Sequence, residues 1–143
     1  MMPQPPDRPA LQSRPYGTIA VLGAGAWGRA LASVARRAGG SGRLWGRDPS
    51  VIDDINATGR NSKFLPGIDL ATGIVATTDL AAALEEADAV LLVIPSVAIR
   101  RICQDIAPLI PPGIPLAICA KGIEEGTGYL MGHIAAEVLG NHP

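Results

Sequence analysis

The chain has 143 residues, 48% of them hydrophobic and 3% aromatic, and a formal net charge of -1 at pH 7. A chain of this size buries about 70% of its unfolded surface, which suits one domain with a core of Ala, Val, Leu and Ile. Its near-neutral balance and scattered arginines lack the basic clustering of a nucleic-acid binder, and no apolar run approaches the roughly 20 residues of a membrane helix.

The first 16 residues, MMPQPPDRPALQSRPY, are Pro-rich and carry no apolar h-region. They read as a disordered leader and not as a signal peptide, so a cytoplasmic address is expected and residues 17–143 remain as the folded unit. Thr18-Ile19-Ala20-Val21-Leu22 is a short β-rich run that ends at Gly23, and an Ala-rich helical stretch follows over about residues 26–38. Gly39, Gly40 and Gly42 stop that helix before a second run, Arg43-Leu44-Trp45, which ends at Gly46-Arg47. Asp48-Pro49 opens the next helix, because the residue before a proline is pushed out of the α region, as an N-cap must be, and proline is tolerated at the first helical position.

Residues 59–73 have no periodicity and several turn formers, so they read as a loop before a strand at Ile74-Val75-Ala76. Asp79 is expected to cap a helix over residues 80–86, and the continuous apolar run over residues 89–94 suits a central parallel strand buried on both faces. Ser96 is expected to cap a helix with Val97, Ile99, Ile102 and Ile106 at helical spacing, ended by Pro108 and the Pro111-Pro112-Gly113 turn. A fifth strand over residues 115–120 ends at Lys121-Gly122, and a last amphipathic helix over about residues 128–139 turns Leu130, Ile134 and Val138 to the core. Strand and helix alternate with short links, which predicts an α/β fold with a Rossmann-like, doubly wound parallel sheet.

Gly23-Ala24-Gly25-Ala26-Trp27-Gly28 is a full G-x-G-x-x-G between a predicted strand and a predicted helix. Gly23 makes the tight turn, Gly25 lets the backbone approach a pyrophosphate, and Gly28 allows close helix–strand packing, while the helix N-terminus offers amide N–H groups to the anion. The acid that holds the ribose hydroxyl in such domains falls where this chain reads Trp45-Gly46-Arg47-Asp48. Asp48 is either that acid or a helix cap, and its place before Pro49 favours the cap. Arg47 then either meets the 2′-phosphate of NADP or is a solvated surface arginine. A charge-assisted contact of that kind is worth about 1.5–3 kcal/mol and would favour NADPH over NADH by on the order of tenfold.

Ligands of open α/β sheets bind beyond the carboxyl ends of the strands, which selects Pro95-Ser96 and Lys121-Gly122. Lys121 is one of only two lysines against ten arginines. Position alone leaves it a ligand contact or a solvated side chain. His133 and Glu137, four apart and off the apolar stripe, read as an exposed helix pair in preference to a catalytic histidine. Cys103 and Cys119 sit in apolar patterns and read as reduced core residues, with no metal site expected.

Together with Ala30-Leu31-Ala32, Leu44-Trp45-Gly46-Arg47, Phe64-Leu65-Pro66-Gly67, Thr77-Thr78-Asp79-Leu80, Ala87-Asp88, Val93-Ile94-Pro95-Ser96 and Lys121-Gly122-Ile123-Glu124, the glycine turn resembles the successive motifs of bacterial NAD(P)-dependent sn-glycerol-3-phosphate dehydrogenase. The resemblance runs over about residues 18–140. It implies reversible reduction of dihydroxyacetone phosphate to glycerol 3-phosphate for phospholipid synthesis. It also implies cofactor contacts at Ala26, Trp27, Arg47, Phe64 and Lys121, and a substrate contact at Lys121. Ala26 stands where the family usually has Ser.

The family continues into a helical domain with the catalytic lysine. That implies no catalytic residue in the sequence given, which is expected to bind cofactor without turnover. Two alternatives stay open: a stand-alone NAD(P)H-binding module, and the cofactor domain of a related reductase, such as ketopantoate reductase or a 6-phosphogluconate dehydrogenase relative. Association into a homodimer is also open, since an unpaired outer strand or an uncovered face can drive it.

Overall fold

The computed structural model describes residues 16–61 and 65–140. In chain order its first half holds β1 (Thr18–Leu22), α1 (Ala26–Arg37), β2 (Ser41–Trp45), α2 (Pro49–Thr58), β3 (Arg60–Asn61), β4 (Leu65–Asp69) and β5 (Val75–Thr77). The second half holds α3 (Leu80–Leu84), β6 (Ala89–Leu92), a 3-10 turn over Ser96–Ala98, α4 (Ile99–Ile106), β7 (Leu116–Ile118) and α5 (Met131–Leu139). Five strands make one parallel sheet in the order β5-β2-β1-β6-β7.

The register brings the carboxyl ends of these strands into a single row. Leu22 pairs with Trp45 on one side and Leu92 on the other, Trp45 pairs with Thr77, and Leu92 pairs with Ile118. Backbone bonds carry the row one residue further, with Gly23 N–H donating to the Trp45 carbonyl at 2.9 Å and Val93 N–H to the Leu22 carbonyl at 2.8 Å. The chain leaves β1 toward β2 and later crosses back to lay β6 on the other side of β1. The gap between those two departures is the topological switch point at which open α/β sheets bind ligands.

Side chains alternate across the strands and divide the core in two. Ala20, Leu22, Val90 and Leu92 pack with Ala83 and Leu84 of α3, Ile99, Ile102, Cys103 and Ile106 of α4, and Met131, Ile134 and Ala135 of α5. Val21, Leu44 and Ala76 pack on the opposite face with Ala32 of α1 and Val51, Ile52 and Ile55 of α2. The doubly wound sheet predicted from the alternation is the observed fold.

Several boundaries differ from expectation. The stretch over residues 59–73 is not wholly a loop: β3 and β4 pair antiparallel with a bulge between Arg60 and Asn61. A two-residue strand leaves no alternation to read, and its pairing is made by backbone groups. Ser96 does not cap an α-helix; the Pro95 carbonyl takes the Ala98 N–H at 2.9 Å and closes a 3-10 turn before α4 begins. The third helix stops at Leu84, because Glu86 adopts φ 54° to turn the chain into β6. The last helix starts at Met131, because Leu130 stays extended in a bridge with Ile123; Leu130 is 56% exposed instead of facing the core.

His133 and Glu137 are exposed, as expected, but do not form a pair. The His133 ring meets Tyr129 edge to face, and Glu137 accepts from Arg100 on α4 at 3.1 Å. The leader expected over residues 1–16 lies, save for Tyr16, outside the described residues. Among the described residues no helix is long and apolar enough to cross a membrane.

Candidate dinucleotide site

Glycine is enforced at two places in the turn between β1 and α1. Gly23 has φ +132°, and a Cβ there would stand 2.0 Å from the Val93 carbonyl oxygen; a Cβ on Gly28 would stand 1.7 Å from the Gly23 carbonyl oxygen. Both contacts are with backbone, which cannot yield as a flexible side chain can, so these two glycines are required by the fold itself. Gly25 differs. Its backbone is extended (φ -71°, ψ -179°), which any residue adopts, and a Cβ built on it meets nothing within 4 Å. Packing among the described residues therefore gives no reason for Gly25 to lack a side chain, whereas a ligand laid against its backbone would.

Gly25 is also the N-cap of α1, where no side chain caps the helix and no acidic residue stands in the first turn. The first amides of a helix have no partner within it, and they sit at the positive end of the helix dipole, so this end is left to accept an anion. It opens on a cavity of about 750 Å³ at the switch point, a size usual for small-molecule sites. The ends of three strands supply its walls: Gly23, Ala24 and Gly25 after β1, Trp45 to Pro49 at β2, and Val93, Ile94 and Pro95 after β6. The residues present fit a dinucleotide: a bare backbone at the helix end for the pyrophosphate, and apolar walls on either side.

Of the two roles left open at Asp48, the structure shows the cap. Asp48 Oδ1 accepts from the Ser50 N–H at 3.0 Å and the Ser50 hydroxyl at 2.7 Å, so this carboxylate caps α2. Arg47 is exposed where it lines the cavity, and among the described residues it holds no ion pair.

A family model described as the N-terminus of NAD-dependent glycerol-3-phosphate dehydrogenase matches residues 18–143. The chain belongs to that family. It is 50% identical over 125 residues to glycerol-3-phosphate dehydrogenase [NAD(P)+] of Rhodospirillum rubrum, covering 87% of this chain and 36% of that protein. It is 47% identical over 128 residues to the protein of the same name from Chelativorans sp., covering 90% and 39% respectively. Among solved structures it resembles glycerol-3-phosphate dehydrogenase of Coxiella burnetii at 35% identity and a TM-score of 0.82, covering 89% of this chain and 39% of that one. The chain thus spans under two fifths of the length of these relatives.

Within this glycerol-3-phosphate dehydrogenase N-terminal fold, the expected site residues divide into groups. Gly23, Gly25, Arg47 and Pro95 line the cavity, and Gly28 packs beneath the turn. Ala26 and Trp27 begin α1 beside the cavity without lining it, Trp27 being 60% exposed. Phe64 lies outside the described residues. Lys121 is exposed and does not line the cavity either, but the next residue, Gly122, lies against Ser96, its Cβ position 3.2 Å from the Ser96 hydroxyl. The loop after β7 therefore stands next to Pro95.

That loop is tied down at Glu124. Arg100 of α4 donates from Nε to Glu124 Oε1 at 2.6 Å and from Nη2 to Oε2 at 2.8 Å, and the Thr127 hydroxyl donates to Oε2 at 2.6 Å. These hydrogen bonds, from Arg100 first and Thr127 second, hold the Glu124 carboxyl down to about 2. Burial pushes the Cys103 thiol up to about 11, and both cysteines are free thiols.

Sequence reasoning missed Trp45, Val51, Val97 and Ile102 as cavity walls, and it missed Arg29. The available signal for Arg29 was a charge on the buried stripe of an Ala-rich helix, in line with Ala32 and Ala35.

Proposed function

We propose that this chain holds the nicotinamide dinucleotide of an NAD(P)-dependent glycerol-3-phosphate dehydrogenase, whose reaction is the reversible reduction of dihydroxyacetone phosphate to glycerol 3-phosphate. The observation that carries this reading is Gly25, which stands bare at an uncapped helix N-terminus although nothing among the described residues requires it to. When bound, the dinucleotide supplies or accepts the hydride.

The chain's own residues bind and orient. Gly23 and Gly28 hold the turn, and the amides at the start of α1, those of Gly25, Ala26 and Trp27, receive the pyrophosphate. Pro95 and the apolar residues near it shield one side of the cavity from water. Arg47 meets a 2′-phosphate, so NADPH is preferred over NADH. Phe64 is a further cofactor contact, and Lys121, on the loop beside Ser96, contacts both the cofactor and the phosphorylated substrate. The folded unit is residues 17–143, and the setting is cytoplasmic.

Titration with NADPH and NADH, followed by the fluorescence of Trp27 and Trp45, tests the reading. Saturable binding at micromolar cofactor is expected. Absence of saturation below millimolar concentrations of both dinucleotides would overturn it.

A further inference from the structure

Among the described residues Arg29 is the charged side chain that is fully buried, at 0% exposure. It occupies the second turn of an Ala-rich helix, where an apolar residue would avoid the cost of desolvating a cation. The side chain runs back toward the helix N-terminus, as side chains on helices do. Its Nε donates to the Ala24 carbonyl at 3.1 Å and to the Gly25 carbonyl at 3.2 Å, and the Gly25 carbonyl also takes the Arg29 N–H at 3.2 Å.

The direction of these bonds matters. Ala24 and Gly25 line the cavity and Arg29 does not, so Arg29 lies on the protein side of the loop. No peptide bond among the described residues is cis, and in a trans unit the C=O and N–H point opposite ways. With the carbonyls of Ala24 and Gly25 turned inward to Nε, the N–H groups of the same two units, those of Gly25 and Ala26, are turned away from it. The helix itself also holds the Gly25 carbonyl through the Arg29 N–H, but rotation of the Ala24–Gly25 unit would instead present a carbonyl oxygen, which repels an anion.

We infer that Arg29 is a positioning residue for the anion seat: its side chain locks the Ala24–Gly25 peptide unit and reinforces the helix's hold on the Gly25–Ala26 unit, with their N–H groups facing outward, and sets a positive charge behind them. This rests on the dinucleotide reading of the cavity. Burial lowers the Arg29 guanidinium to about 10, with Asp54 opposing the shift, so it remains a cation at neutral pH. A cation held in low dielectric acts at longer range than one in water, and it adds to the helix dipole at the same place.

The test compares the wild-type chain with Arg29→Met and Arg29→Lys. Titrations use NADH, NADPH and adenosine, which lacks the phosphates, and amide NMR of the unliganded proteins follows Gly25 and Ala26. Arg29→Met is expected to weaken both dinucleotides by about tenfold or more and to leave adenosine within about twofold. Its Gly25 and Ala26 amide signals shift before any ligand is added. Equal loss for all three ligands, or dinucleotide affinities equal to wild type, would overturn the inference.

If Arg29→Met does not fold, Arg29→Lys decides: it keeps the charge but carries its donor beyond the Nε position. A loss of about threefold or more for the dinucleotides alone is expected, and none would overturn the inference. If the wild type binds neither dinucleotide while the variants still shift the two amides, the cofactor reading fails and the orientation of the loop by Arg29 stands.

Discussion

Arg100 and Glu124 face each other in a bidentate pair, Nε to Oε1 at 2.6 Å and Nη2 to Oε2 at 2.8 Å, joining α4 to the loop that follows β7. Glu124 lies three residues after Lys121, so the pair fixes one end of the segment that carries this lysine. Two parallel bonds hold direction as well as distance, which a single contact does not. The same guanidinium reaches Glu137 on α5 at 3.1 Å and draws helix, loop and helix together.

Glu124→Gln should therefore loosen the Lys121 segment and lower thermal stability in a pH-dependent way. The Glu124 carboxyl is depressed from its usual 4.5 to about 2 in the folded chain. A depressed carboxyl contributes stability that is present above its unfolded value and lost as pH falls through its folded value. Thermal melts should separate wild type from variant at pH 6 and converge between about pH 4.5 and 2. A gap that persists unchanged at the acid end would contradict the assignment.

Gly23→Ala and Gly28→Ala should each cost about 3 kcal/mol or more, since both would drive a Cβ into backbone. Denaturant unfolding of the two variants measures this. Wild-type midpoints would show that the turn between β1 and α1 relaxes more easily than its geometry implies.

Arg47→Ala should weaken NADPH by about tenfold while leaving NADH nearly unchanged, because only the former carries a 2′-phosphate. Side-by-side titrations check it. Equal loss for both cofactors would make Arg47 a contact to some part that they share.

Cys103 should resist thiol reagents at pH 8, because the reactive thiolate is suppressed by burial that pushes its value up to about 11. Cys119, less buried and with its thiol also raised by burial, should react first. Mass spectrometry after brief alkylation separates the two sites, and faster labelling of Cys103 would mean that α4 opens readily.

What the sequence disclosed was what local chemistry dictates. Gly23 and Gly28 are legible because a tight turn and a close approach demand glycine wherever they occur. Asp48 is legible as a cap because Pro49 follows it, and the apolar run over residues 89–94 announces a buried strand, of which Ala89–Leu92 forms β6. The relationships that escaped join residues distant in the chain. Arg100 and Glu124 are 24 positions apart, and nothing in either neighbourhood names the other. β3 and β4 are too short to show a period, and Ser96 resembles a cap until the Pro95 carbonyl is seen to close a tighter turn. Arg29 was hidden differently: it looks like an ordinary helix arginine until its burial places it behind the glycine loop.

The most direct measurement is the affinity of Gly25→Ala for NADH and NADPH beside its thermal midpoint. Because the added methyl meets nothing within 4 Å among the described residues, the midpoint should stay close to wild type while both affinities fall by about tenfold or more, the methyl standing where the pyrophosphate must lie. A folded Gly25→Ala that binds both dinucleotides as tightly as wild type would contradict the assignment of this cavity.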